Sequence, residues 1–363
     1  MMFDTGGEQL SATAKARVRK GTLLKADAFH RMLKCSDVSE VTRVLKSTYY
    51  ASYLPADVES LHRDKLELLL MSAINSEVQS FFPSLGHKRH AFLKLWLERR
   101  DIQLIKGRIW EIYIGKTDAN VKAKVVNEDY KDLSLLDSSL INRRKLLSSN
   151  SMSEIIASIK NEKLVAALEE SLKRTGKKIN ETIMIGFALD AFNNNRIFNA
   201  ANSFSGKERE GLLSLCGVYV DLVSIISIYR GKKYFNMSEE VALSMIHMHY
   251  RVNFDKLKAI ASLPHERMWE PLAGTLYASL LPRDENESDD ISSVAGITRR
   301  MRSIQRESAL KTFASGGAGI HFIIAYLVLR ELEILSLSAT IEVVRYNYDR
   351  GKVEKLLALS TKY

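Results

Sequence analysis

Two stretches far apart in the chain are nearly the same. Leu45-Lys-Ser-Thr-Tyr-Tyr-Ala-Ser-Tyr-Leu-Pro55 and Leu272-Ala-Gly-Thr-Leu-Tyr-Ala-Ser-Leu-Leu-Pro282 share seven of eleven residues at an offset of 227. At half that distance, Ser39-Glu40, Lys46 and Leu54 recur as Ser153-Glu154, Lys160 and Leu168, at an offset of 114. Each copy of an internal repeat must bury the same kind of surface, so repetition narrows the possible folds before any single residue is considered. Three units are implied, with boundaries expected at 1–130, 131–245 and 246–363. They are too long for solenoid repeats of roughly 20–50 residues.

A second pattern follows each unit's start. The stretches are Asp101-Ile-Gln-Leu-Ile-Lys-Gly-Arg-Ile, Asp221-Leu-Val-Ser-Ile-Ile-Ser-Ile-Tyr and Glu333-Ile-Leu-Ser-Leu-Ser-Ala-Thr-Ile. Each has a carboxylate, a branched aliphatic four residues on, and an apolar residue four beyond that. Such spacing draws a stripe along one helix face. Gly115-Lys116, Gly231-Lys232 and Gly351-Lys352 follow, and they read as helix stops: glycine accepts the left-handed conformation and lysine complements the helix's negative end.

Only five prolines occur in 363 residues, and 46% of the chain is hydrophobic. Few breakers and a large apolar fraction favour helix over a turn-rich β architecture. The expected fold is all-α, with three similar helical subdomains in pseudo-three-fold symmetry forming a funnel. Leu61 to Gln79 reads as a helix, and Ser153 as the N-cap of another running to Leu172. Phe81 to Gly86 reads as a turn, Val121 to Tyr130 as strand or linker, and Arg283 to Asp290 as a solvated loop.

The formal charge is +10. That suits an acidic protein, an anionic membrane surface or nucleic acid. A basic helical nucleic-acid-binding protein is the alternative reading, although no RGG tract or long block of like charge supports it. Lys15, Arg17, Arg19, Lys20 and Lys25 make the first helix basic: either a solvated face or a contact for an acidic partner or lipid head groups. Cys35 and Cys216 are the only cysteines and form no disulfide framework. No apolar leader segment is expected, and the longest apolar run, Ile320 to Leu329, is about half of the ~20 residues needed to cross a bilayer.

Catalytic and cofactor signatures fail one by one, so no enzyme, cofactor or metal is expected. Gly115-Lys116-Thr117 lacks the earlier glycine and the preceding strand of a phosphate-binding loop, and Trp110 stands where that glycine belongs. Ser315-Gly-Gly-Ala-Gly319 opens a helix and could hold an anion, but Phe322 occupies the third glycine of a dinucleotide fingerprint; a flexible turn is the better reading. His87 with His90, and His247 with His249, lack zinc-site spacing, and His87 to His90 reads as a basic surface turn. Asp101, Asp221 and Glu333 recur in equivalent places, whereas catalytic carboxylates work as unequal pairs, so a structural role is expected.

The chain resembles the C subunit of archaeal and bacterial V/A-type ATPases, called the d subunit in the vacuolar enzyme. The residues that carry the resemblance are Ala16-Arg-Val-Arg19, Leu45 to Pro55, Asp101 to Trp110 with Asp221 to Arg230, and Ala325-Tyr-Leu-Val-Leu-Arg-Glu-Leu-Glu-Ile334. Where the family's long helices carry asparagine, this chain has Leu104, Ser224 and Ser336. Arg330 replaces a lysine before the closing Glu-x-Glu. The resemblance implies a non-catalytic rotor subunit, a socket between the central stalk and the membrane proteolipid ring. It would lie on the cytoplasmic side, peripheral to the membrane, touching it indirectly and binding no nucleic acid. Arg108, Arg230, Lys232 and Lys233 are the candidate contacts with those partners, since charged contacts fix rotational register.

Overall fold

A computed structural model describes residues 6–57, 61, 63–113, 138–175, 180–244, 246, 248–280 and 294–348. Among them the secondary structure is helical, apart from an isolated bridge between Ile141 and Ile159. The early helices are α1 (Gly6–Lys20), α2 (Ala26–Leu33), α3 (Val38–Leu45), α4 (Arg63–Phe81) and α5 (His87–Tyr113). The middle of the chain gives α6 (Arg143–Ser148), α7 (Met152–Ser158), α8 (Glu162–Thr175) and α9 (Asn180–Asn202). Then follow α10 (Gly206–Phe235), α11 (Glu239–Ser244), α12 (Phe254–Ser262), α13 (Val294–Ala314) and α14 (Ile320–Tyr346).

The repeated sequence builds repeated local structure. At the start of α3 the Asp37 side chain accepts from the Glu40 N–H, and Glu40 accepts from the Ser36 N–H. One repeat later, Ser151 accepts from the Glu154 N–H and Glu154 from the Asn150 N–H. Both are reciprocal capping boxes, each satisfying two backbone donors that a helix start leaves open. The offset of 227 behaves alike. Thr48 Oγ1 donates to the Leu45 carbonyl and accepts from the Tyr50 N–H; Thr275 does the same with Leu272 and Tyr277. The equivalent positions Tyr50, Leu164 and Tyr277 are all fully buried.

Several expectations need correcting. Gly231 is not a stop: α10 runs through it to Phe235. Asn236 ends that helix in the left-handed conformation at φ 46°, with the Met237 N–H donating to the Gly231 carbonyl. Asn347, at φ 48°, ends α14 in the same way. Asparagine is the residue next best suited to that conformation after glycine. Ser153 is not a cap either; Ser151 is, and the helix expected through Leu172 breaks at Ile159, whose neighbours bond back to the 138–142 segment. His87 to His90 is the first turn of α5, not a free turn. The segments holding Gly115-Lys116-Thr117, Val121 to Tyr130, Arg283 to Asp290 and Gly351-Lys352 lie outside the described residues, as does His247.

Contacts divide the chain into two compact units. The first comprises Met1–His87, Gly206–Leu215 and Leu272–Tyr363. Its axis is α14, against which α1, α2, α4 and α13 pack. From Ile320 to Leu327 every α14 residue is buried, as expected of a helix apolar on all sides and surrounded by others. The second unit comprises Lys88–Ser205 and Cys216–Pro271. Its core joins Ile105 and Ile109 of α5 to Leu146, Ile155, Leu164, Leu168 and Leu189. Truncating a fully buried member such as Ile105 to alanine costs about 2–5 kcal/mol.

Helix α10 is long and apolar enough to cross a membrane by length and composition. Two thirds of its apolar stretch (67%) is instead buried within the fold, and Asp221, fully buried, stands in its middle.

Candidate functional site

The three carboxylates expected to be structural are buried: Asp101 at 1% exposure, Asp221 at 0% and Glu333 at 3%. Each sits on a long helix whose apolar stripe is buried with it, at Ile105 and Ile109, Ile225 and Tyr229, and Leu337 and Ile341. Asp221 accepts three backbone N–H groups, from Tyr250 (2.7 Å), Arg251 (2.8 Å) and Val252 (3.2 Å). Asp101 accepts from the Ser138 hydroxyl (2.6 Å) and the Arg143 guanidinium (2.8 Å). Glu333 accepts from the Leu24 N–H, the Tyr50 hydroxyl (2.6 Å) and Arg330.

The donors Leu24, Ser138 and Arg251 stand at the same offsets of 114 and 227 as the sequence repeat. The order is therefore cyclic. The long helix of the first stretch holds the start of the second, that of the second holds the start of the third, and that of the third holds the start of the first. A carboxylate accepting backbone and hydroxyl donors satisfies groups that would otherwise be buried unpaired, at about 1–3 kcal/mol each.

Around Glu333 the clasp widens into a buried network. Arg330, fully buried, donates to Tyr326 (3.1 Å from Nε), Thr22 (2.7 Å) and Glu333, and lies 3.3 Å from Glu77. Its guanidinium also stacks over the Tyr49 ring at 4.5 Å. Burial alone would lower the Arg330 pKa, but Glu333, Tyr50, Tyr326 and Glu77 hold its proton on and leave it raised. Burial pushes the Glu333 carboxyl the other way, towards its neutral form, against Arg330, Tyr50 and Leu24. We take the pair as ionised, because a guanidinium keeps its proton at any accessible pH and a neutral carboxyl would leave it uncompensated.

The basic residues of α1 reach to neighbouring helices, Lys15, Arg19 and Lys20 half-buried and Arg17 exposed. Lys15 donates to the Ser80 carbonyl, Arg19 to that of Glu77 (3.1 Å), and Arg17 to those of Phe313 (3.1 Å) and Ser315 (3.2 Å). Arg17 also stacks on Phe322 at 4.4 Å, and Lys20 lies over Phe313. These cations complete carbonyls at the ends of α4 and α13. These contacts dock α1, while Arg17 and Lys25 remain exposed.

Of the four proposed contact residues, Arg108 is 4% exposed and donates to the Ser149 carbonyl and Glu111. Lys232 donates to the carbonyls of Ala261 and Leu263, and Lys233 to the Tyr229 hydroxyl at 2.7 Å. Arg230 is exposed.

The glycine-rich turn before α14 is filled by its own fold. Gly319 has φ +156°, and a Cβ there would meet Glu208 and His321 at 2.8 Å, so only glycine fits. Its N–H donates to Thr13 Oγ1 (3.0 Å), while the Ile320 N–H donates to Glu208 (2.8 Å). A carboxylate of the chain already holds the helix N-terminus. His321, buried beside Gly211 and Phe322, has neither ring nitrogen hydrogen-bonded among the described residues; burial lowers its pKa to about 4. Burial raises the Cys216 thiol to about 12, the reverse of a reactive thiolate. Among the described residues no group of three His, Cys, Asp or Glu side chains is placed to hold a metal.

Sequence reasoning missed a set of exposed aromatics. Trp110 (51%) and Tyr113 stand near the C-terminal end of α5, Tyr234 near that of α10, and Tyr346 and Tyr348 at that of α14. Their spacing from the carboxylates was the available signal: Tyr113, Tyr234 and Tyr346 lie twelve or thirteen residues beyond Asp101, Asp221 and Glu333.

The described residues form helical units tied together by repeated buried carboxylate clasps. The family model of the ATP synthase (C/AC39) subunit matches residues 12–356, and the chain belongs to that family. It is similar to the C subunit of the A-type ATP synthase of Methanobrevibacter smithii, with 23% identity over 90% of this chain and 82% of the relative. It is also similar to the protein of the same name in Methanocaldococcus jannaschii, with 22% identity over 94% of this chain and 82% of the relative.

Proposed function

We propose that this chain is the non-catalytic rotor subunit of a V/A-type rotary ATPase, a socket that couples the central stalk to the membrane proteolipid ring. The observation that carries the proposal is the family match across residues 12–356. The cyclic order of the three clasps supports it physically. A part that passes torque must not shear between its units, and each clasp ties one stretch to the next through buried bonds that are costly to break.

In this reading the stretches 1–130, 131–245 and 246–363 are the three helical subdomains of the funnel. The stalk enters the wide end and the ring lies against the narrow one, on the cytoplasmic side of the membrane and peripheral to it. Arg230, the exposed one of the four cations, is the one that meets partners, while Arg108, Lys232 and Lys233 are engaged within the fold. Affinity capture of the full chain from membranes of its source, with partners identified by mass spectrometry, tests the reading. Stalk and proteolipid subunits are the expected companions, and their absence under conditions that keep the ATPase intact would overturn it.

A further inference from the structure

Helices α9 and α10 share a polar seam inside the second unit. Asp190 and Asn194 stand four apart on α9, and Ser224 and Ser227 three apart on α10, so each pair lies on one helix face. With Phe187 and Val220 they line a single cavity, which offers about 20 Å³ to the centre of a water molecule. One water needs roughly 10–15 Å³ by that measure, and two to four polar partners. Asn194 is 8% exposed and Ser227 6%. Among the described residues neither side chain makes a hydrogen bond. Ser224 donates to the Met248 carbonyl (3.2 Å), which leaves its oxygen able to accept, and Lys106 occupies one oxygen of Asp190 at 2.6 Å. A buried amide or hydroxyl left without a partner costs stability, and native folds satisfy such groups with ordered water where the chain does not reach them.

We infer that this cavity is a binding site for ordered water, which bridges Asn194 on α9 to Ser227 and Ser224 on α10. The chemistry of the lining selects the ligand. Lys106 balances the charge of Asp190, so nothing calls for an ion. The Asn194 amide both donates and accepts, and so does the Ser227 hydroxyl, so the ligand must do both as well. Water does so, and the space fits a molecule of its size. The seam is then held by a polar bridge that the amino-acid sequence does not itself supply.

The test uses the full chain in two ways. A high-resolution crystal structure of the wild type should show a water peak within about 3.2 Å of both the Asn194 side chain and Ser227 Oγ. No peak there, or either side chain bonded directly to another residue of the chain, would overturn the inference. Thermal unfolding of Asn194→Leu, Ser227→Ala and the double variant gives an independent reading. Each single change strands the water and the group across the seam, so each should lower the midpoint. The double change removes both ends of the bridge, and its midpoint should fall by less than the sum of the two single shifts. A dry cavity predicts the opposite sign, because replacing an unsatisfied polar group by an apolar one raises the midpoint. Midpoints that rise in the single variants, or shifts that simply add, would also overturn the inference.

Discussion

Asp221 and Glu333 do the same job in two compact units by different means. Asp221 is short and faces three successive backbone N–H groups, so its clasp needs no particular side chain from the partner segment. Glu333 is longer and reaches one backbone N–H, one tyrosine and an arginine that engages further side chains. The backbone clasp tolerates sequence change around it. The side-chain clasp is a network in which each member's loss leaves others buried and unpaired. A repeat can therefore keep its geometry while its residues diverge, which is how copies with little recognisable identity still meet at offsets of 114 and 227.

This contrast can be broken most forcefully at Arg330. Arg330→Met leaves Glu333 and Glu77 buried without their cation, and the stability of the first unit should fall by about 3–5 kcal/mol in chemical denaturation. A change below about 1 kcal/mol would mean that the network is not coupled.

Acid should next separate the two units. His321 binds a proton more weakly in the folded state, about 4, than in the unfolded chain, at 6.5. The unfolded state therefore takes up more protons in this window. Stability is full above pH 6.5 and declines as pH falls towards 4, by about 3 kcal/mol in all. His321→Phe should flatten that slope for the first unit, as read by hydrogen exchange of α14 amides between about pH 7 and pH 4. An unchanged slope would place the acid sensitivity elsewhere.

Asp221→Asn is the matching change in the second unit. The amide keeps one acceptor oxygen but turns donors towards N–H groups, and about 2 kcal/mol should be lost. Faster hydrogen exchange at Tyr250, Arg251 and Val252, with α14 unaffected, is the expected signature. The smallest effect should come from Ser151→Ala, which removes one capping acceptor and costs about 1 kcal/mol. The equivalent change at Asp37 should cost a similar amount if the two capping boxes are true copies.

The sequence spoke clearly where a residue's role is local. The helical class and the carboxylate stripes both depend on neighbours a few positions away. It misled where two local devices compete. Gly231-Lys232 has the composition of a helix stop, but the helix runs on to Phe235 and Asn236 takes the left-handed position. Arg17 and Arg19 read as a solvated face or a partner contact, and nothing nearby in sequence reveals the carbonyls of Phe313 and Glu77 that they also reach. Arg330, recognisable only as part of a family motif, sits at the centre of a network whose members lie up to 308 residues away.

Coupling is tested most directly by comparing ATP hydrolysis with ion uptake in membrane vesicles from cells that lack this chain. A socket predicts that hydrolysis by the head persists while ATP-driven ion uptake is lost, and that adding back the purified chain restores uptake. Ion uptake at the wild-type rate without the chain would contradict the account.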